Sequence, residues 1–315
     1  MALTRLVRGQ VTSSDSFFLP GPAPNLAYSN TRDHPRGSDS RAFCDALWRR
    51  YSPLADPNFR EAARSHFLER FWEMYLGVAL LERGLQVERH GNEGPELFVP
   101  LGTRRVWIEA VAPGPGHGPD RVPEMVDNHP IAIDVPVEKI LLRFTNALSE
   151  KRARYATAAR KGIISGDDAY LLAINSGGIP RGSDGDPMPY FVQAFLPFGP
   201  PTLEVDVKTF EVARTYRAYR PAVRKLKGTD VSTRPFLDSE DSFCSAVLHS
   251  AVDCLNYPEV MGDDFAVLHN PQAHHPIDRA IFGWCTQFSY RANTLHREDP
   301  GNTPSRSKPS SESNR

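Results

Sequence analysis

A strand that is apolar at almost every position has to be buried, and "AYLLAIN" (residues 169–175) is such a strand. It needs covering layers, and the chain supplies two long helical segments ahead of it. The first, "DPNFREAARSHFLERFWEMYLGVALLERG" (56–84), contains a stretch that is apolar nearly all round and closes at Gly84 as a helix C-cap. The second, "PVEKILLRFTNALSEKRARYATAARKG" (136–162), opens at Pro136 in its first turn. Between them two short strands are expected, "LQVERH" and then "ELFVPL" leading into "RRVWIEAVAP". Further strands are expected at "YFVQAFL", "FCSAVLHS", "FAVLHN" and "FGWCTQFSY", and a short amphipathic helix at "RAFCDALWRRY". The succession of helix, strands, helix and strands specifies an α/β domain, a central mixed β-sheet flanked by helices.

Around that core, residues 1–40 are rich in Ser, Pro, Gly and Asn and are expected to form an irregular arm. Residues 41–295 form the domain, and 296–315 have the composition of a disordered tail. The Pro-rich loop over 114–136 is long enough to suspect a role. The formal net charge of the 315-residue chain is -1, so no global basic field marks it as a nucleic-acid binder. No apolar run approaches the roughly 18 residues of a membrane span, and the N-terminus lacks the continuous apolar core of a signal peptide. Four scattered cysteines fit reduced thiols, so a cytoplasmic location is expected and a zinc knuckle is not.

The chemistry-bearing feature is the placement of three acids. Glu73 is the only charge inside the apolar helix stretch "FWEMYLGVALL". Glu96 follows a Gly-Pro turn and begins a strand. Glu109 sits in the middle of "VWIEAVAP", on the same face as Trp107 and Val111 at a strand's period of two. An ionised carboxylate out of water costs several kcal/mol, on the order of 3–5, unless something compensates it. Glu96 and Glu109 lie a hairpin apart, close enough for both to bind one cation.

This order resembles the restriction-endonuclease-like, or PD-(D/E)XK, nuclease superfamily: a helix with Glu, a strand opening at Pro-Asp, a strand with Glu-X-Lys, then a helix with Lys, Gln or Tyr. The corresponding residues are Glu73, Pro95-Glu96, "IEAV" (108–111), and Lys151 with Tyr155 in "EKRARY". The resemblance spans residues 60–175, about a third of the chain, and its motifs are short. Two positions depart from the pattern. Glu96 replaces the usual Asp, and Val111 stands where the strand lysine belongs. Valine cannot stabilise charge developing on phosphate, and some members of the superfamily carry that lysine on the following helix; Lys151 is the candidate here.

The resemblance implies metal-dependent phosphodiester hydrolysis, as a DNA endonuclease using Mg²⁺ or Mn²⁺. Glu96 and Glu109 would hold the ion, Glu73 a second ion or a water, and the cation would compensate the buried charge of Glu109. Lys151 would serve catalysis, and Arg143, Asn146 and Tyr155 would touch substrate. The alternative is a catalytically inactive member of the fold that binds nucleic acid or a protein partner. A third reading is an interaction protein whose carboxylates are simply ion-paired.

Two other clusters carry less. "VLHNPQAHHP" gathers His269, His274 and His275, with His249 nearby in sequence, but lacks ligand spacing and reads as a strand-end loop. "PGPGHGPD" (113–120) has no Lys-Ser/Thr after its glycines and is no phosphate-binding P-loop.

Overall fold

The computed structural model describes residues 16–91, 93–124, 135–185 and 187–301. Its helices are α1 (Leu26–Asp33), α2 (Ser38–Tyr51), α3 (Phe59–Ala63), α4 (Phe67–Glu82), α5 (Val137–Arg160) and α6 (Tyr190–Phe195). Its strands are β1 (Leu97–Leu101), β2 (Arg104–Val111), β3 (Ala169–Asn175), β4 (Phe198–Val205), β5 (Val212–Tyr219), β6 (Ala222–Arg224), β7 (Asp230–Ser232), β8 (Ala246–Ser250), β9 (Ala266–His269), β10 (Thr286–Arg291) and β11 (Thr294–Glu298).

Seven strands form one mixed sheet in the order β1-β2-β3-β8-β9-β10-β11. β2, β3 and β8 run parallel, while β1 pairs antiparallel with β2, and β8 with β9. β4–β5 and β6–β7 are separate antiparallel hairpins. The protein is thus α/β, with helices on both faces of the sheet. Alternation along the strands divides the core in two. Val106, Ile108, Leu171 and Ala173 pack with the helices α1 to α4. Trp107, Tyr170, Leu172 and Ile174 pack with α5 and α6. Every residue of β3 is buried, as its composition requires.

Several local expectations change. The first long helix is two helices, α3 and α4, interrupted after Ala63. The Arg64 carbonyl at the break accepts the Asn25 N–H at 3.1 Å, so it bonds to the N-terminal segment instead of continuing the helix. That segment is accordingly not irregular throughout: Leu26–Asp33 are helical, and Phe17 and Phe18 are buried against Tyr28, Trp48 and Phe67. "LQVERH" makes a single bridge, Glu88 to Phe98, instead of a strand. "YFVQAFL" is α6 and not a strand. Its six helical residues are all buried, so periodicity had nothing to distinguish, and Pro189 starts the turn while Gln193 Nε2 donates to the Met188 carbonyl at 2.7 Å. β11 extends ordered structure to Glu298, into the stretch expected to be tail. Residues 125–134 of the Pro-rich loop, and 302–315, lie outside the described residues.

Candidate active site

The site forms where the β1–β2 hairpin passes between α4 and α5. A two-residue turn closes the hairpin between Leu101 and Arg104, and Gly102 supplies the left-handed φ of +64° that it requires. The tight turn fixes the register, whose last pair is Leu97 with Ile108. Glu96 directly precedes that pair and Glu109 directly follows it, and the two are close enough for the Glu109 charge to act on Glu96. Glu109 follows the parity of Trp107, which packs on the α5 side of the sheet.

Glu109 is 2 % exposed and Lys151 is 7 % exposed. Lys151, on α5, donates its Nζ hydrogen bond directly to Glu109 Oε1. The cation that lets a carboxylate stand in this apolar strand is therefore an ammonium on the next helix; no metal is needed to keep the fold neutral there. Arg154, three residues along α5, reaches the same oxygen at 3.5 Å from a largely exposed side chain.

Glu96 has a different environment. Its Oε2 accepts the Ala110 N–H at 2.9 Å. Burial pushes its carboxyl up to about 8, the Glu109 charge and, more weakly, Glu73 add to the rise, and Lys151 opposes it. Part of the residue remains open to the cleft.

Glu73 comes from α4, in the helical layer on the other side of the sheet, and is 3 % exposed. Its two oxygens are both engaged: Tyr51 Oη donates to Oε1 at 2.6 Å, and Arg70 Nη1 to Oε2 at 2.7 Å. Burial raises its carboxyl from the usual range, against the pull of these two donors. Gly77, one helical turn beyond Glu73, makes Tyr51 possible: a Cβ there would meet the Tyr51 ring at 2.8 Å. Tyr51 is a site residue that the sequence reading missed. Arg70 had a signal, since residues three apart on a helix are neighbours.

Glu73, Glu96, Arg143 and Lys151 line one cleft of about 440 Å³, together with residues 110–114 at and beyond the end of β2, whereas Glu109 lines a neighbouring cleft. Arg143 is held at its rim, with Nε donating to the Gly114 carbonyl at 2.9 Å, and Gly116 leaves room for its guanidinium, which a Cβ would meet at 2.9 Å. Val111 also lines this cleft, so the position of the missing strand lysine faces the same space. Asn146 is half-buried on α5 and is not among the residues lining either cleft beside Glu109. Tyr155 lies in the other of these clefts, edge-on to Tyr170 at 5.2 Å and against Phe243 at 4.7 Å.

The two-carboxylate pair Glu96–Glu109 fits a hard cation by donor type. Among the described residues no group of three or more His, Cys, Asp or Glu side chains is placed to hold a metal. The histidines are engaged elsewhere: His249 with Ser176 at 2.9 Å, His269 with Gln287 at 2.7 Å and His274 with Ser242 at 2.9 Å. Among the described residues no helix is long and apolar enough to cross a membrane. Compared with protein-family models, curated proteins and solved structures, the chain matches none.

Proposed function

We propose that the protein is a divalent-metal-dependent phosphodiesterase of the restriction-endonuclease-like type, an endonuclease acting on DNA. The observation that carries this reading is the Lys151–Glu109 contact beside Glu96. Lys151, from the following helix, lines one cleft with Val111, the position of the usual strand lysine, and with Glu96, which supports the reading of a lysine moved to the helix. Buried ion pairs are costly, and their net contribution to stability is often near zero or unfavourable, so a fold gains little from keeping one for stability alone.

In this reading Glu96 and Glu109 hold the ion, and Mg²⁺ or Mn²⁺ supplies Lewis acidity toward a phosphate oxygen and lowers the pKa of a water. Lys151, whose Nζ donates to Glu109, would offset the charge developing on the phosphate in the transition state. Arg143, at the rim, positions the strand through an adjacent phosphate oxygen. Glu73 has both oxygens occupied and acts on the site through its charge and by holding the α4 wall.

A plasmid-nicking assay with Mn²⁺, Mg²⁺ or EDTA tests the proposal. Metal-dependent nicking by wild type, lost about 100-fold or more in Glu96→Gln, is expected. A wild type that neither nicks DNA nor gains melting temperature with either metal would overturn it. The second reading, a nucleic-acid-binding protein of the same fold that does not cut, is favoured by the absence of a three-ligand group among the described residues and by the occupation of Glu109 by Lys151. It expects DNA binding without nicking.

A further inference from the structure

Glu109 lines a different cleft from the one that Glu73, Glu96 and Lys151 line. This second cleft, of about 460 Å³, lies between α5 and the turn before β1; its polar lining includes Arg154, Tyr155, Tyr170 and Glu109, together with Lys161, which pairs with Glu93 at 3.0 Å. Its apolar lining includes Pro95, Ala158 and Ile163. Two features single it out. Tyr170 is 0 % exposed, yet its Oη has no hydrogen-bond partner among the described residues, a costly arrangement for a buried hydroxyl. Arg154 projects from α5 with its side chain 70 % exposed, and it approaches at 3.5 Å an oxygen that Lys151 already holds. A hydroxyl in need of a partner and a guanidinium with donors to spare thus border one apolar-sided cleft.

Resting on the proposed function, we infer that this second cleft is a subsite for the nucleotide next to the one at the carboxylates. Arg154 takes its phosphate and Tyr170 Oη bonds to its sugar or base, so that the strand passes across Glu109 from one cleft to the other. A phosphodiester chain suits the lining: phosphate oxygens match the guanidinium fork, and the sugar and base can lie on Pro95, Ala158 and Ile163. A free carboxylate metabolite would use Arg154 but leave the apolar lining uncovered.

The test is binding of a 5′-fluorescein-labelled eight-nucleotide DNA strand to the full chain in EDTA, where no strand is cut, read by fluorescence anisotropy across a salt series. Arg154→Gln is expected to weaken binding about tenfold, the size of a lost charge-assisted hydrogen bond, and to reduce the slope of log K against log salt by about 0.7. Tyr170→Phe is expected to weaken binding several-fold while its melting temperature stays level or rises, because it deletes an atom unpaired in the free protein. Those opposite signs separate a ligand contact from a structural one. If Arg154→Gln and Tyr170→Phe bind as wild type does while Arg143→Gln weakens binding, the second subsite is overturned and the primary cleft stands. If the wild type binds no strand at all, the nucleic-acid reading fails and the subsite falls with it.

Discussion

Glu73 and Glu96 are carboxylates of one cleft, both raised above the usual range chiefly by burial, and they differ in what answers them. Glu73 has a tyrosine hydroxyl on one oxygen and an arginine on the other. Glu96 has a backbone amide, and its nearest charges are another glutamate and the lysine that glutamate already holds. The α4 wall of the site is saturated, whereas Glu96 shares its nearest cation with Glu109 and its carboxyl is pushed up to about 8. A saturated carboxylate is a structural element; a carboxylate short of cation is a place for one to bind. The asymmetry is the reason for placing the ion on Glu96 and Glu109 and not on Glu73.

The largest effect should come from removing the cation already present. Lys151→Met strands Glu109 in an apolar strand, and unfolding in urea should report a loss of about 3–5 kcal/mol. The double change Lys151→Met with Glu109→Leu removes both charges and should recover most of that loss. If the single variant is as stable as wild type, the pair is not buried in solution. Glu109→Gln should likewise destabilise, because it leaves the Lys151 ammonium without its acceptor charge.

A smaller effect is expected on the saturated wall. Tyr51→Phe removes one donor to Glu73 and should cost about 1.5–3 kcal/mol, the range for hydrogen bonds to charged groups. It should leave any Mn²⁺-induced rise in melting temperature unchanged, whereas Glu96→Gln should abolish that rise. A Mn²⁺ shift lost in Tyr51→Phe and kept in Glu96→Gln would invert the comparison between the two walls.

The α5 wall was more legible in the sequence than the α4 wall, for a geometric reason. Glu96 and Glu109 are joined by a short hairpin, and period two with a tight turn almost dictates that they meet. Lys151 shares a helical stripe with residues of known direction, although the run "EKRAR" looks solvated by composition. Tyr51 reaches Glu73 from another helix, through a gap left by Gly77, and no local pattern encodes such a contact. The fold shows the same division. Strands with a full apolar run, such as β3, were readable, whereas α6 was not, since six residues that are all buried carry no period. At the break between α3 and α4 the Arg64 carbonyl accepts from Asn25, some forty residues away, a contact that helix propensity cannot register.

The finest test of the comparison is its pH dependence. Glu96 titrates at about 8 in the folded protein against an ordinary value of 4.5. Between these values the folded protein holds a proton that the unfolded chain has released, so the contribution is fully present below 4.5 and is lost as pH rises through 8. The slope is at most about 1.4 kcal/mol per pH unit for this one group. The difference in unfolding free energy between wild type and Glu96→Gln isolates it, because the other titrating groups are common to both proteins. That difference should move in favour of Glu96→Gln as pH rises from 5 to 9. Mn²⁺ should act in the opposite sense on the wild type. An ion on Glu96 must displace its proton, so the metal-induced gain in melting temperature should be small at pH 6 and grow toward pH 9. A gain of equal size across that range would mean that the metal binds where no proton has to leave, and Glu96 would then be no ligand.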